Sequence, residues 1–158
     1  MIVALLGRAA SGKTTLGRRL QEHFDLPLLG PDSVRKGRGQ PRAQVWRALL
    51  EQVDAHEDCI IESCLVPAPY ARRLHEEHSL IVHVCAHPRV RADRLRARGW
   101  NAKRIHKDRH YPISFPASEV VVDTTRGLTD EQVAEVSACV SRRNASSASA
   151  SEVREGSN

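Results

Sequence analysis

Eight residues near the start of the chain, Gly7-Arg8-Ala9-Ala10-Ser11-Gly12-Lys13-Thr14, carry the clearest chemistry. Their pattern, G-x-x-x-x-G-K-[ST], suits a polyphosphate. Gly7 and Gly12 let the backbone bend until several N–H groups converge on one anion. Ala10, Ser11 and Gly12 lie in the bend, and Lys13, Thr14 and Thr15 open a helix whose positive end faces the same point. Lys13 can reach β- and γ-phosphates, and the Thr14 hydroxyl can reach Mg²⁺. The expected cofactors are therefore ATP or GTP with Mg²⁺.

Three further groups say what could happen to that nucleotide. Asp32-x-x-Arg35 offers a carboxylate that can accept the proton of a hydroxyl attacking the γ-phosphorus. Arg35, one helical turn on, can hold an anionic group of the acceptor. Pro-Asp-Ser is also a good helix start, so Asp32 could instead be a cap. Glu62-Ser63 closes an apolar run; Glu62 can hold Mg²⁺ through water, and Ser63 can serve the acceptor or the metal. Between Arg89 and His110 nine Lys or Arg stand against two Asp, a local charge of +7, whereas the whole chain carries +5. Cations from a mobile lid can neutralise charge building on a transferred phosphoryl group. Arg94 and Arg98 share a helix face, with Arg91 three residues earlier, and Gly99 gives a hinge.

These groups need a frame, and the hydrophobic pattern supplies one. Apolar runs predict strands at 2–6, 26–29, 59–61, 80–85 and 119–122. Between them, periodic apolar residues predict helices. Leu16, Leu20 and Phe24 mark the first, and Val45, Trp46, Leu49, Leu50 and Val53 the one over 41–56. Others are expected around 70–77, from His87-Pro88 to Arg98, and over 102–110. Thr129-Asp130-Glu131-Gln132 is a capping box that opens a last helix with Val133, Val136 and Val140 on one face. Asn144 to Asn158 reads as a disordered Ser/Ala-rich tail. Alternating strands and helices predict an α/β, three-layer fold: a five-stranded parallel sheet with helices on both faces and a basic helical lid over about 89–112. Asp32, Glu62-Ser63, His87 and Asp123 all fall at strand ends, where such sheets bind ligands.

At 158 residues the chain reads as one domain, 1–143, plus the tail. No apolar run approaches a membrane span, and no basic leader precedes the first strand, so a cytoplasmic protein is expected. Cys59, Cys64, Cys85 and Cys139 form no C-x-x-C pair and read as small buried residues. The pairs His75/His78, His83/His87 and His106/His110 lack a second suitable cluster, which argues against structural zinc. No Asn-Lys-x-Asp base-reading motif is present.

Taken together, the P-loop, Asp32-x-x-Arg35 and Arg94-x-x-x-Arg98 resemble the small P-loop kinases of the adenylate, shikimate and gluconate kinase type. The spacing is most similar to the kinase domain of phage-type polynucleotide kinases. Arg104-Ile105 through Pro112 to Val121-Val122-Asp123 is similar to dephospho-coenzyme A kinases, and Asp32 in a one-domain layout to chloramphenicol-type antibiotic phosphotransferases. The resemblance spans about residues 1–140. It implies that Asp32 is the general base, that Arg35 contacts a substrate phosphate, and that Arg94 and Arg98 grip ATP phosphates. It also implies that Asp123-Thr124-Thr125 lies near adenine. Glu62-Ser63-Cys64 stands where the polynucleotide kinase has Asp-x-Asn.

The expected function is ATP-dependent transfer of a γ-phosphate to a hydroxyl. The acceptor is a small molecule, nucleoside or nucleotide, or alternatively the 5′-hydroxyl of a nucleic acid. A different class, a non-catalytic nucleotide switch or assembly ATPase, would use the lid arginines on a partner protein and would not need Asp32 as a base.

Overall fold

The computed structural model describes residues 1–35, 39–64, 66, 71–74, 79–111 and 117–155, with side chains described as far as 145. Lys36, Pro67, Pro69, Tyr70, His75, His78, Pro112 and Pro116 lie outside the described residues.

Five strands form one sheet: β1 (Ile2–Leu6), β2 (Leu28–Leu29), β3 (Cys59–Ser63), β4 (Leu80–Cys85) and β5 (Val120–Asp123). Every pairing is parallel, and the order is β2-β3-β1-β4-β5. The helices are α1 (Lys13–Phe24), α2 (Pro31–Val34), α3 (Arg42–Asp54), α4 (Pro88–Ala97), α5 (Ala102–His110) and α6 (Asp130–Glu155). Residues 71–74 are also helical.

β1 explains the layering. All five of its residues are buried because it sits mid-sheet with a helical layer on each face. Successive side chains alternate across the sheet. Ile2, Ala4 and Leu6 join Val45, Trp46, Leu49 and Val53 of α3. Val3 and Leu5 join Leu16 and Leu20 of α1 and Val136 and Val140 of α6.

The topology also fixes the site. From β1 the chain goes out to the β2 edge, returns to β3, then crosses β1 to β4. The carboxyl ends of β1 and β3 lie side by side, with Leu6 in register with Ser63. That reversal opens a crevice at the strand ends, and Gly7 enters it directly from β1.

Two expectations about extent change. β2 is only two residues long, because Leu26 and Pro27 precede its pairing with Ile60 and Ile61. The last helix does not stop near 143 but continues to Glu155. No Gly or Pro lies between Gly127 and Gly156, and the Ala-rich sequence there contains no breaker. Among the described residues no helix is long and apolar enough to cross a membrane.

Candidate active site

The loop between β1 and α1 is held from behind. The Gly7 N–H donates to the Ser63 carbonyl at 3.2 Å, fastening the loop to the end of β3. Only glycine fits there, since a Cβ would stand 2.0 Å from the Val84 carbonyl oxygen. Three successive carbonyls are then pinned. Ala9 accepts from Arg91 Nε at 2.9 Å, Ala10 from Arg94 at 3.2 Å and Ser11 from the Thr124 hydroxyl at 2.7 Å. In a planar trans peptide the next N–H points the opposite way. Ala10 and Gly12, which follow two of these carbonyls, line the cleft in front. Both are left-handed, at φ 59° and 99°. For Ala10 that conformation costs about 1–2 kcal/mol, which the bonds from Arg94 help to offset.

Lys13 and Thr14 open α1. The Lys13 side chain is buried and its ammonium donates to the Arg8 carbonyl at 2.8 Å. Thr14 donates to Glu62 Oε2 at 2.7 Å, bringing a hydroxyl and a carboxylate into contact beside the loop. Mg²⁺ takes hard oxygen donors, often one or two from the protein with waters completing the shell. The Thr14–Glu62 pair fits that requirement. Ser63 is buried beside it and lines the cleft.

The cleft has a volume of about 360 Å³. Its far wall begins at α2. Gly30 precedes that helix, Pro31 takes its first position, and the Ser33 hydroxyl returns to the Gly30 carbonyl at 2.7 Å. The Ser33 hydroxyl also accepts from the Gly30 N–H at 3.3 Å, so Ser33 rather than Asp32 closes the helix start. Asp32 lines the cleft with its side chain 96% exposed, and Arg35 lies 3.6 Å from it. Arg98, at the C-cap of α4, reaches the same space from the lid side. The structure therefore brings together Ala10, Gly12, Lys13, Thr14, Thr15, Asp32, Arg35, Glu62, Ser63 and Arg98.

Gly7, Ser11, Arg94, Asp123 and Thr124 are not on the cleft wall. Arg94 is spent on the scaffold, donating to the Thr124 carbonyl at 2.6 Å and its hydroxyl at 3.0 Å as well as to Ala10. Thr124 is buried behind the loop, and a Cβ on Gly12 would meet it at 3.0 Å. Asp123 is exposed and turned toward its own loop. Hydrogen bonds from the Thr125 hydroxyl and N–H hold its carboxyl below the usual range.

The lid is tied down more than its charge suggested. Arg8 donates to the Asp108 carbonyl at 2.6 Å and the Tyr111 carbonyl at 3.0 Å, so the loop grips the C-terminal end of α5. Arg91 is buried and pairs with the Asp108 carboxylate. The sequence reading missed Arg8 and Asp108 as site-forming residues. The available signal was Asp108 itself, one of two acids in a window of nine cations.

Residues 3–113 match the family described as an AAA domain. No curated protein sequence matches the chain. Among solved structures, a provisionally assigned kinase from Chloroflexus aurantiacus is 19% identical, with a TM-score of 0.64 over 92% of this chain and 96% of its own. A gluconokinase from Sinorhizobium meliloti is 15% identical, with a TM-score of 0.61 over 89% and 95%. A shikimate kinase from Bacteroides thetaiotaomicron is 16% identical, with a TM-score of 0.60 over 85% and 92%. At these identities the similarity establishes the fold.

Proposed function

This chain belongs to the AAA domain family, and we propose that it is an ATP-dependent phosphotransferase acting on a hydroxyl of a small molecule, nucleoside or nucleotide. One observation carries the reading. A single cleft holds Lys13 and Thr14 of the phosphate loop on one wall and a carboxylate, Asp32, on the other. The names of the gluconokinase and the shikimate kinase support it as analogies of fold.

The residues divide the work as follows. The N–H groups at Ala10, Gly12 and the start of α1 receive the phosphates of ATP, and Lys13 leaves the Arg8 carbonyl to meet them. Thr14 and Glu62 would hold Mg²⁺, which when bound would neutralise phosphate charge. Asp32 orients the acceptor hydroxyl and takes its proton as the new O–P bond forms. The bond from the γ-phosphorus to the bridging oxygen breaks, and ADP keeps that oxygen. Arg98 faces the charge that spreads over the transferred group. Arg94 acts at one remove, holding Ala10 and Thr124. By the resemblance Asp123, exposed at the end of β5, would lie near adenine, with Thr124 buried beside it.

The test is ADP release, with the product identified by mass, over nucleosides, 3′-phosphorylated nucleotides, 5′-hydroxyl oligonucleotides, sugars and sugar acids. The proposal expects one class to be phosphorylated, and Lys13→Ala to abolish it. Preference for the oligonucleotide would make this a polynucleotide 5′-hydroxyl kinase. Stimulation by a protein partner alone, with no phosphorylated product, would mark a nucleotide switch or assembly ATPase.

A further inference from the structure

The lid carries a second cavity that the proposed transfer does not use. It lies between α4 and α5 and has a volume of about 430 Å³. Among the described residues, only Leu95 lines both this groove and the cleft. Four arginines, Arg89, Arg91, Arg96 and Arg109, line the groove with two carboxylates, Asp93 and Asp108. Both carboxylates are taken, Asp93 by Arg96 and Asp108 by Arg91. That leaves Arg89 on α4 and Arg109 on α5, and among the described residues neither has a carboxylate partner.

Their positions favour an anion between them. Arg89 lies in the first turn of α4, which contains no acid, so a cation stands at the positive end of a helix. Both arginines are exposed, and each offers a fork of N–H donors that suits a phosphate oxyanion. An anion there replaces the repulsion of two like charges with two attractions. The groove wall also holds the clamp of the phosphate loop. Arg91 lines the groove, pairs with Asp108 of α5, and holds the Ala9 carbonyl through Nε at 2.9 Å. Three residues on, Arg94 holds the Ala10 carbonyl at 3.2 Å. Drawing α4 and α5 together therefore steadies the loop that receives the nucleotide phosphates.

We infer that the groove between α4 and α5 is an effector site for a small molecule bearing a phosphate or pyrophosphate group. Arg89 and Arg109 hold that group, and its presence slows the departure of nucleotide from the phosphate loop. This rests on the proposed binding of nucleotide at the loop and not on the identity of the acceptor. By linkage, bound nucleotide tightens the effector by the same factor as the effector tightens nucleotide.

The test reads the rate at which a fluorescent, non-hydrolysable ATP analogue leaves the protein when chased with excess unlabelled ATP. Inorganic pyrophosphate is the probe, with free Mg²⁺ held constant and potassium chloride at matched ionic strength as the control. A competitor at the phosphate loop does not change that rate, so only a second site can move it. We expect saturating pyrophosphate to slow departure by about fivefold or more. Arg89→Gln and Arg109→Gln should each raise the half-maximal pyrophosphate concentration by about tenfold or more. Neither variant should change the rate measured without pyrophosphate. An unchanged or faster rate, or equal slowing by potassium chloride, overturns the effector site. Slowing that both Gln variants retain in full puts the anion elsewhere and overturns its assignment to this groove. Slowing that depends on Arg89 and Arg109, with no acceptor phosphorylated in the product screen, overturns the phosphotransferase reading and leaves the effector site standing.

Discussion

Glu62 is the residue whose role was hardest to read from sequence and whose geometry is now most specific. A Glu after an apolar strand is an ordinary strand-end residue until its partner is known, and that partner, Thr14, lies 48 positions away. The 2.7 Å contact between them sets a hydroxyl and a carboxylate side by side beside the phosphate loop, the pair we propose for Mg²⁺. Glu62→Gln keeps the shape but removes the charge. It should raise the Mg²⁺ concentration giving half-maximal ATP turnover by about 10- to 100-fold, the usual effect of losing one strong metal partner. A Mg²⁺ titration with an unchanged midpoint would remove Glu62 from the metal site. At the same scale, the place of Lys13, Thr14 and Asp32 on the cleft was legible because motif and spacing fix it. The left-handed Ala10 was not, since nothing in a lone alanine announces positive φ. Its conformation is imposed by bonds from Arg94 and Thr124, residues far along the chain.

Among the elements, α4 and α5 depart most from what their charge predicts. The sequence reads as a mobile basic lid with Arg94 and Arg98 acting as a pair. In the structure those two point to different tasks, Arg94 into the scaffold and Arg98 into the cleft. Arg91, Asp108 and Arg8 fasten α5 to the phosphate loop. The Arg91 and Asp108 side chains are 7% and 16% exposed, so their pair is largely removed from solvent. Removing one partner of such a pair leaves a charge without its counterion. Asp108→Asn should therefore destabilise the protein by about 2–3 kcal/mol, at the lower end for buried pairs because Asp108 retains some solvent. It should also raise the KM for ATP, because Arg91 simultaneously holds the Ala9 carbonyl. Urea melts and ATP kinetics on the same variant check both halves. Unchanged values in both would mean that the lid and the loop are independent.

For the molecule as a whole, sequence periodicity was sufficient for the architecture because each element has its own pattern. β1 is continuously apolar as a central parallel strand must be, and α1 and α3 each carry one apolar stripe. Strand order was not legible in the same way: it follows from which faces pack together, and only the register of Leu6 with Ser63 brings Glu62 to Thr14. The fold then does one thing for function. It sets a phosphate cradle on one wall of a single cleft and the Asp32 carboxylate, paired with Arg35, on the other. The account stands or falls on that carboxylate. Asp32→Asn preserves size and most hydrogen-bonding capacity while removing the proton acceptor. Its ATP affinity, measured by calorimetry, should match the parent protein, while phosphoryl transfer to the preferred acceptor should fall about 10²- to 10⁴-fold. Transfer at the parent rate with ATP affinity intact would contradict the assignment of Asp32 as the base.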